Sequence, residues 1–185
     1  MMKMPKINYC RCDGGKKGEK CKNILQKACD NFFSIGINNI ENACNVERAR
    51  LIKEWEEKNS NEQIKEFNFN ISYKQGIEEL SPIFRLYEPI EINVYIDEGE
   101  KPKNRVPMGV RPIDKELKKW DFFVFLDNLD YSDDTLKWTG FEESVDDLVY
   151  HELFHTCGDN KDTGKIDGIL RYNIVGIKCI KELTG

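Results

Sequence analysis

The run Phe122-Phe123-Val124-Phe125-Leu126 is the strongest constraint on what this chain can fold into. Five consecutive apolar residues suit a strand buried on both faces, so cover is expected above and below it. Two other segments alternate strictly. Ile90-Glu91-Ile92-Asn93-Val94-Tyr95-Ile96 predicts a half-buried strand with Ile90, Ile92, Val94 and Ile96 inside, and Phe67-Asn68-Phe69-Asn70-Ile71-Ser72-Tyr73 predicts another. Between them and the run, the charged stretch Asp97 to Lys118 holds Pro102, Pro107 and Pro112, which predicts a long surface excursion.

Helices flank these strands. Ile24, Leu25, Ala28, Cys29, Phe32 and Phe33 recur at helical spacing up to Ser34, where Gly36 breaks the pattern. A second helix is expected from Ile40 to Lys58, with Val46, Arg50 and Trp55 on its inner edge and Glu47 and Glu54 on its wet side. Ile169 to Leu183 predicts a C-terminal helix. Before all of this, Tyr9 to Lys22 is rich in Gly and Lys and reads as a loop. The expected organisation is therefore a flexible Cys/Gly/Lys-rich arm over residues 1–22 and a single domain over 23–185.

The 33% of charged residues and the net charge of −5 offer no basic field for nucleic acid. No apolar run approaches the roughly 18 residues of a membrane span. Met1 to Lys6 lacks the apolar segment of a secretory signal, so a cytoplasmic location or export by another route is expected. Seven Cys is a high and odd count, with Cys10, Cys12, Cys21 and Cys29 in the first 30 residues. Disulfides and a second, Cys-rich metal site are both open at this point, as is a bond from Cys157 to Cys179, Cys29 or Cys44.

The two His of the chain, His151 and His155, stand four apart in His151-Glu152-Leu153-Phe154-His155. On a helix that spacing puts both imidazoles on one face, one turn apart, where they can grip one metal ion. Glu152 is placed to polarise a metal-bound water. A helix is expected here from Val145 to Cys157. Ser144 stands at its N-cap, Asp146 and Asp147 suit the positive end of its dipole, and Gly158 ends it. Leu148, His151, Glu152 and His155 form one stripe; Val145, Val149, Leu153 and Cys157 form the stripe opposite.

This motif resembles that of the zincin metallopeptidases. The resemblance extends over about Asp121 to Tyr172 and is specific at His-Glu-x-x-His. It implies an α+β zincin-like fold, a small mixed or antiparallel sheet packed on the motif helix, with N-terminal helices and a C-terminal helix. It also implies one catalytic Zn2+, a protein or peptide substrate bound by edge pairing with a strand, and Glu152 as general base. Catalytic zinc takes three protein ligands. Asp159 lies on the His stripe, but about 12 Å along a continued helix axis from His151. Asp162 is one residue later than the third ligand of the metzincin group. Asp167, in Thr163-Gly164-Lys165-Ile166-Asp167, resembles the aspzincin ligand segment with Thr and Gly inverted. The resemblance favours Asp167, with Asp162 second, and it gives Tyr172, or else Tyr150, the role of assisting the oxyanion. Cys157 is read as structural. Short Cys-containing domains of this kind are also similar to the metallopeptidase domains of bacterial polymorphic toxins. The readings that stand beside a peptidase are a non-catalytic metal-binding interaction module and a metal hydrolase of a non-peptide substrate.

Overall fold

A computed structural model of the chain describes residues 4–60, 85–97, 106–138, 144–157 and 182–183. The chain is mixed α+β and divides into two compact units. One comprises Met1–Ser34 with Tyr87–Gly158, the other Ile35–Leu86 with Asp159–Gly185. The expected strand at Phe67 to Tyr73, Asp159, Asp162, Asp167, Tyr172, Cys179 and most of the expected C-terminal helix lie outside the described residues.

The first unit is built on a four-stranded sheet. Its strands are β1 (Lys6–Cys12), β2 (Glu91–Asp97), β3 (Met108–Pro112) and β4 (Lys119–Phe125), in the order β1-β2-β4-β3. β1, β2 and β4 run parallel, and β3 closes one edge antiparallel to β4. Parallel strands need a crossover, and α1 (Gly15–Ile35) leaves the end of β1 to begin one. A 3-10 turn (Leu126–Asn128) leads into a hairpin of β5 (Leu129–Ser132) and β6 (Thr135–Trp138). Its two loop residues, Asp133 and Asp134, have φ of 51° and 57°. A type I′ two-residue hairpin loop needs positive φ at both central residues, which Asp tolerates better than most residues. The motif helix α3 (Val145–Thr156) follows.

The core lies on one face of the sheet. Ile92, Val94, Ile96, Met108, Trp120, Phe122 and Val124 are each at most 1% exposed. From α1, Phe32 meets α3 through Phe154, edge to face at 5.3 Å, and Tyr150, stacked at 6.5 Å. Tyr9 reaches α1 through its hydroxyl, which donates to Gln26 Oε1. The other face of the sheet is polar at its centre. Asn8, Asn93, Asp121 and Arg111 stand in register across all four strands. Asn8 Nδ2 donates to Asn93 Oδ1 at 2.9 Å, and the Arg111 guanidinium to Asp121 Oδ2 at 3.3 Å. β4 is thus not sealed on both sides by apolar cover: Phe123 and Phe125 are half-buried beside this row.

Several expectations are corrected. The segment from Tyr9 to Lys22, expected as a loop, lies largely in β1 and the first turns of α1. A bulge between Tyr9 and Arg11 breaks the alternation of β1, which hid it in the sequence. The Gly-rich segment makes the turn into the helix: Gly14 and Gly15, the latter the first residue of α1, take φ of 98° and 58°. The excursion from Asp97 to Lys118 contains β3. Ile90 lies just before β2 and is 52% exposed. In the second unit, α2 (Ile37–Ser60) buries Ile37, Ile40 and Cys44, while Val46 is 72% exposed. Arg50 is exposed as well, pairing with Glu47 at 2.6 Å and Glu54 at 2.8 Å. Cys10, Cys12, Cys21, Cys29, Cys44 and Cys157 are not in disulfides, so Cys157 is bonded to neither Cys29 nor Cys44.

Candidate metal centre

α3 forms where its sequence predicts. Ser144 occupies the N-cap with extended backbone, φ −71° and ψ 144°, and its carbonyl accepts from Leu148 N at 3.3 Å. Its hydroxyl makes no capping bond. Asp146 and Asp147 sit in the first turn, at the positive end of the helix dipole. Val145, Val149, Leu153 and Cys157 are at most 3% exposed, which fixes this stripe in the core. Leu148, His151, Glu152 and His155 are partly exposed, as the 3.6-residue period requires of the opposite stripe.

The two imidazoles turn towards each other. His151 Nε2 and His155 Nε2 are 3.1 Å apart, with ring centroids at 4.9 Å and planes at 75°. Two arrangements fit that separation: one N–H donating to the other ring's lone pair, or both lone pairs directed at one cation. For zinc–nitrogen bonds of about 2.05 Å, an N···N distance of 3.1 Å subtends about 98° at the metal, close to the tetrahedral angle. That separation is compatible with two nitrogen ligands of one zinc ion. Glu152 is adjacent, its Oε1 3.9 Å from His151 Nε2 and its side chain 13% exposed. Partial burial strips some of the water from the carboxylate.

Two neighbouring side chains face the core instead. The Cys157 thiol is fully buried beside Thr156 Oγ1 at 3.9 Å, and burial pushes it up to about 12. It belongs to the core stripe and takes no part in the His face. Tyr150 also turns away. Its ring is 4% exposed and stacks on Phe32 in the core. Tyr172, the other tyrosine considered, lies outside the described residues. So do Asp159, Asp162 and Asp167. Among the described residues no group of three or more His, Cys, Asp or Glu side chains gathers around one point.

One element near the site was not legible in the sequence. β3 packs against α3 and stands at the edge of the described sheet, antiparallel to β4. Its five residues are too few for a periodicity signal, and Pro112 at its end reads as a loop. A Pro at the end of an edge strand is compatible with pairing on one side only.

The chain matches no family model, no curated protein and no solved structure. The functional reading therefore rests on the residues and their geometry. Among the described residues, no helix is long and apolar enough to cross a membrane.

Proposed function

We propose that this chain is a zinc-dependent peptidase. The observation that carries the reading is the 3.1 Å convergence of His151 Nε2 and His155 Nε2 on a helix that also carries Glu152. His151 and His155 would hold the ion, with Asp167 the preferred third ligand and Asp162 the second choice. Zinc, when bound, acidifies a coordinated water and polarises a carbonyl. Glu152 takes the proton from the attacking water and returns it to the leaving amine, a role its position next to His151 allows. Tyr172 is assigned to hydrogen-bond the developing oxyanion.

The sheet supports a peptide substrate. An antiparallel edge strand beside the motif helix is where an extended chain can add by backbone pairing, and β3 has that position. The zincin-like architecture is proposed on this topology together with the motif. A role as a secreted or delivered toxin protease is compatible with the same site and adds no residue to it.

The test is zinc content and hydrolysis measured together. The wild-type protein, supplied with zinc and dialysed, is expected to retain about one ion per chain. His155→Ala should lose it. Glu152→Gln should keep the ion and lose hydrolysis of an unstructured protein such as casein by about 10²- to 10⁴-fold, the usual range for a general base. Asp167→Ala and Asp162→Ala identify the third ligand by which one sheds zinc. Wild-type protein that retains no zinc would leave a hydrogen-bonded histidine pair and end the proposal. Zinc retained with no hydrolysis of any peptide would favour the non-catalytic module.

A further inference from the structure

The end of β1 lies along α1 and brings an exposed thiol to a buried one. Tyr9 meets the helix at Gln26 through its hydroxyl, and at Lys22, whose ammonium stands 4.8 Å from the ring centroid. Three residues on, Cys12 Sγ lies 3.9 Å from the Gly18 carbonyl oxygen, and the Asp13 carbonyl takes the place a Cβ on Gly18 would need. β1 therefore follows α1 back towards the helix N-terminus, from Gln26 to Gly18. Cys21 falls within that stretch, on the same buried face as Gly18, and is 0% exposed. Helix side chains lean towards the N-terminus, so Cys21 covers the turn that holds Gly18. That is the turn Cys12 reaches.

The two thiols differ in what they can do. Cys12 is exposed, while burial pushes Cys21 up to about 12, with the charge of nearby Cys12 adding to the shift. The thiolate, not the thiol, is the nucleophile, so Cys12 is the entry point for a small oxidant and Cys21 meets only what Cys12 carries. Other thiols are placed less well. Cys29 stands about 12 Å further along the helix axis than Cys21. Cys10, at the bulge of β1, is directed to the Asn8 carbonyl oxygen at 3.8 Å.

We propose that Cys12 and Cys21 are a redox pair that closes as an intramolecular disulfide, tying the end of β1 to α1, with a low-molecular-weight disulfide as oxidant. The Cys12 thiolate attacks one sulfur of the oxidant, whose S–S bond breaks; one small thiolate leaves and a mixed disulfide stays on Cys12. Cys21 then gives its proton to solvent and attacks the Cys12 sulfur, expelling the second small thiolate. Two protein thiols are oxidised and one small disulfide is reduced to two thiols. No residue of the His face takes part.

The reduced full chain, incubated with oxidised glutathione, trapped with N-ethylmaleimide in denaturant and digested with trypsin without reduction, tests the inference. Cleavage after Arg11, Lys16, Lys20 and Lys22 puts Cys10, Cys12 and Cys21 on separate peptides. In protein that migrates as a monomer on a non-reducing gel, the linked Cys12–Cys21 peptides should exceed the glutathionylated Cys12 peptide. Cys21→Ser should leave Cys12 as its glutathione mixed disulfide, and Cys12→Ser should leave Cys21 reduced. Three outcomes would each overturn the proposal: Cys21 recovered as its maleimide adduct while Cys12 carries glutathione, Cys12 linked mainly to another cysteine or to a second copy, or Cys21 oxidised equally in Cys12→Ser.

Discussion

Gly18→Ala puts two physical effects in opposition, and the structure decides between them. In a helix interior, replacing Gly by Ala is worth about 1 kcal/mol in favour of the folded state. Gly18 lies within α1 and is buried, so propensity alone predicts a stabilised protein. A Cβ built there would stand 1.9 Å from the carbonyl oxygen of Asp13 and 2.9 Å from its carbon. Those atoms are backbone and cannot rotate away. The turn linking β1 to α1 would have to open by more than 1 Å to restore contact distance. Overpacking of this kind costs typically about 1–3 kcal/mol, and a rigid obstacle argues for the upper end, about 3. The net is a loss of about 2 kcal/mol. With a urea slope of about 2 kcal/mol/M, the unfolding midpoint should fall by about 1 M. Urea titration followed by far-ultraviolet circular dichroism measures it. A midpoint unchanged or raised would refute both the packing argument and the account of residues 6–22 as an integral strand and helix start.

Three further outcomes are expected. Native protein treated with iodoacetamide at pH 8 should be alkylated first at exposed Cys10 and Cys12, while Cys21, Cys29 and Cys157 resist, since burial pushes each of these thiols up to about 12; peptide mass mapping after a short exposure reads this directly. Tyr9 is held above the ordinary phenol range, chiefly by burial and then by the nearby Cys29 and Asp30. A raised phenol binds its proton more tightly when folded, so its contribution is complete below about pH 10 and lost as pH rises further. Urea midpoints measured from pH 8 to 11 should decline at the alkaline end, and less so in Tyr9→Phe. Asp121 is 6% exposed and accepts from Asn93 and Arg111, so Asp121→Ala should cost about 1–2 kcal/mol, readable as a lower urea midpoint. Arg111 is 68% exposed and is left solvated in that variant, which keeps the cost below that of a severed buried ion pair.

What was legible in the sequence was what repeats within one element. β2 and α3 carry their periods openly: Ile92, Val94 and Ile96 at every second position, Val145, Val149, Leu153 and Cys157 at every fourth. β1 carries the same strand period until Cys10. There the extra residue of the bulge shifts the register, so that Arg11 stands opposite Tyr95 and Cys12 opposite Ile96. The residues paired with the inward Ile92, Val94 and Ile96 are Ile7, Tyr9 and Cys12, a spacing of two and then three, and no strand template matches it. The apolar run in β4 was legible as a strand but misleading as to its surroundings. Five apolar residues implied two apolar layers, yet Asp121 and its partners on Asn8, Asn93 and Arg111 hold a polar row on the second face. That row depends on which strands are neighbours, and strand order is not written in any local spacing.

The same distinction separates the two halves of the candidate metal site. His151 and His155 come from one helix, so a spacing of four residues dictates a separation that brings the two Nε2 atoms to 3.1 Å. Their mutual geometry is a local property, and sequence suffices for it. A third ligand must arrive on a chain that has left the helix and returned, and the length of a loop sets only the farthest point its end can reach. Asp159 has too little chain to turn back, whereas Asp162 and Asp167 both have enough. Spacing therefore ranks those two without choosing between them. Zinc retention in Asp162→Ala and Asp167→Ala chooses, because loss of one ligand from a three-ligand site leaves the His pair alone to hold the ion. If both variants keep their zinc, the third donor is neither of these, and the resemblance to the aspzincin and metzincin ligand patterns fails while the His pair stands.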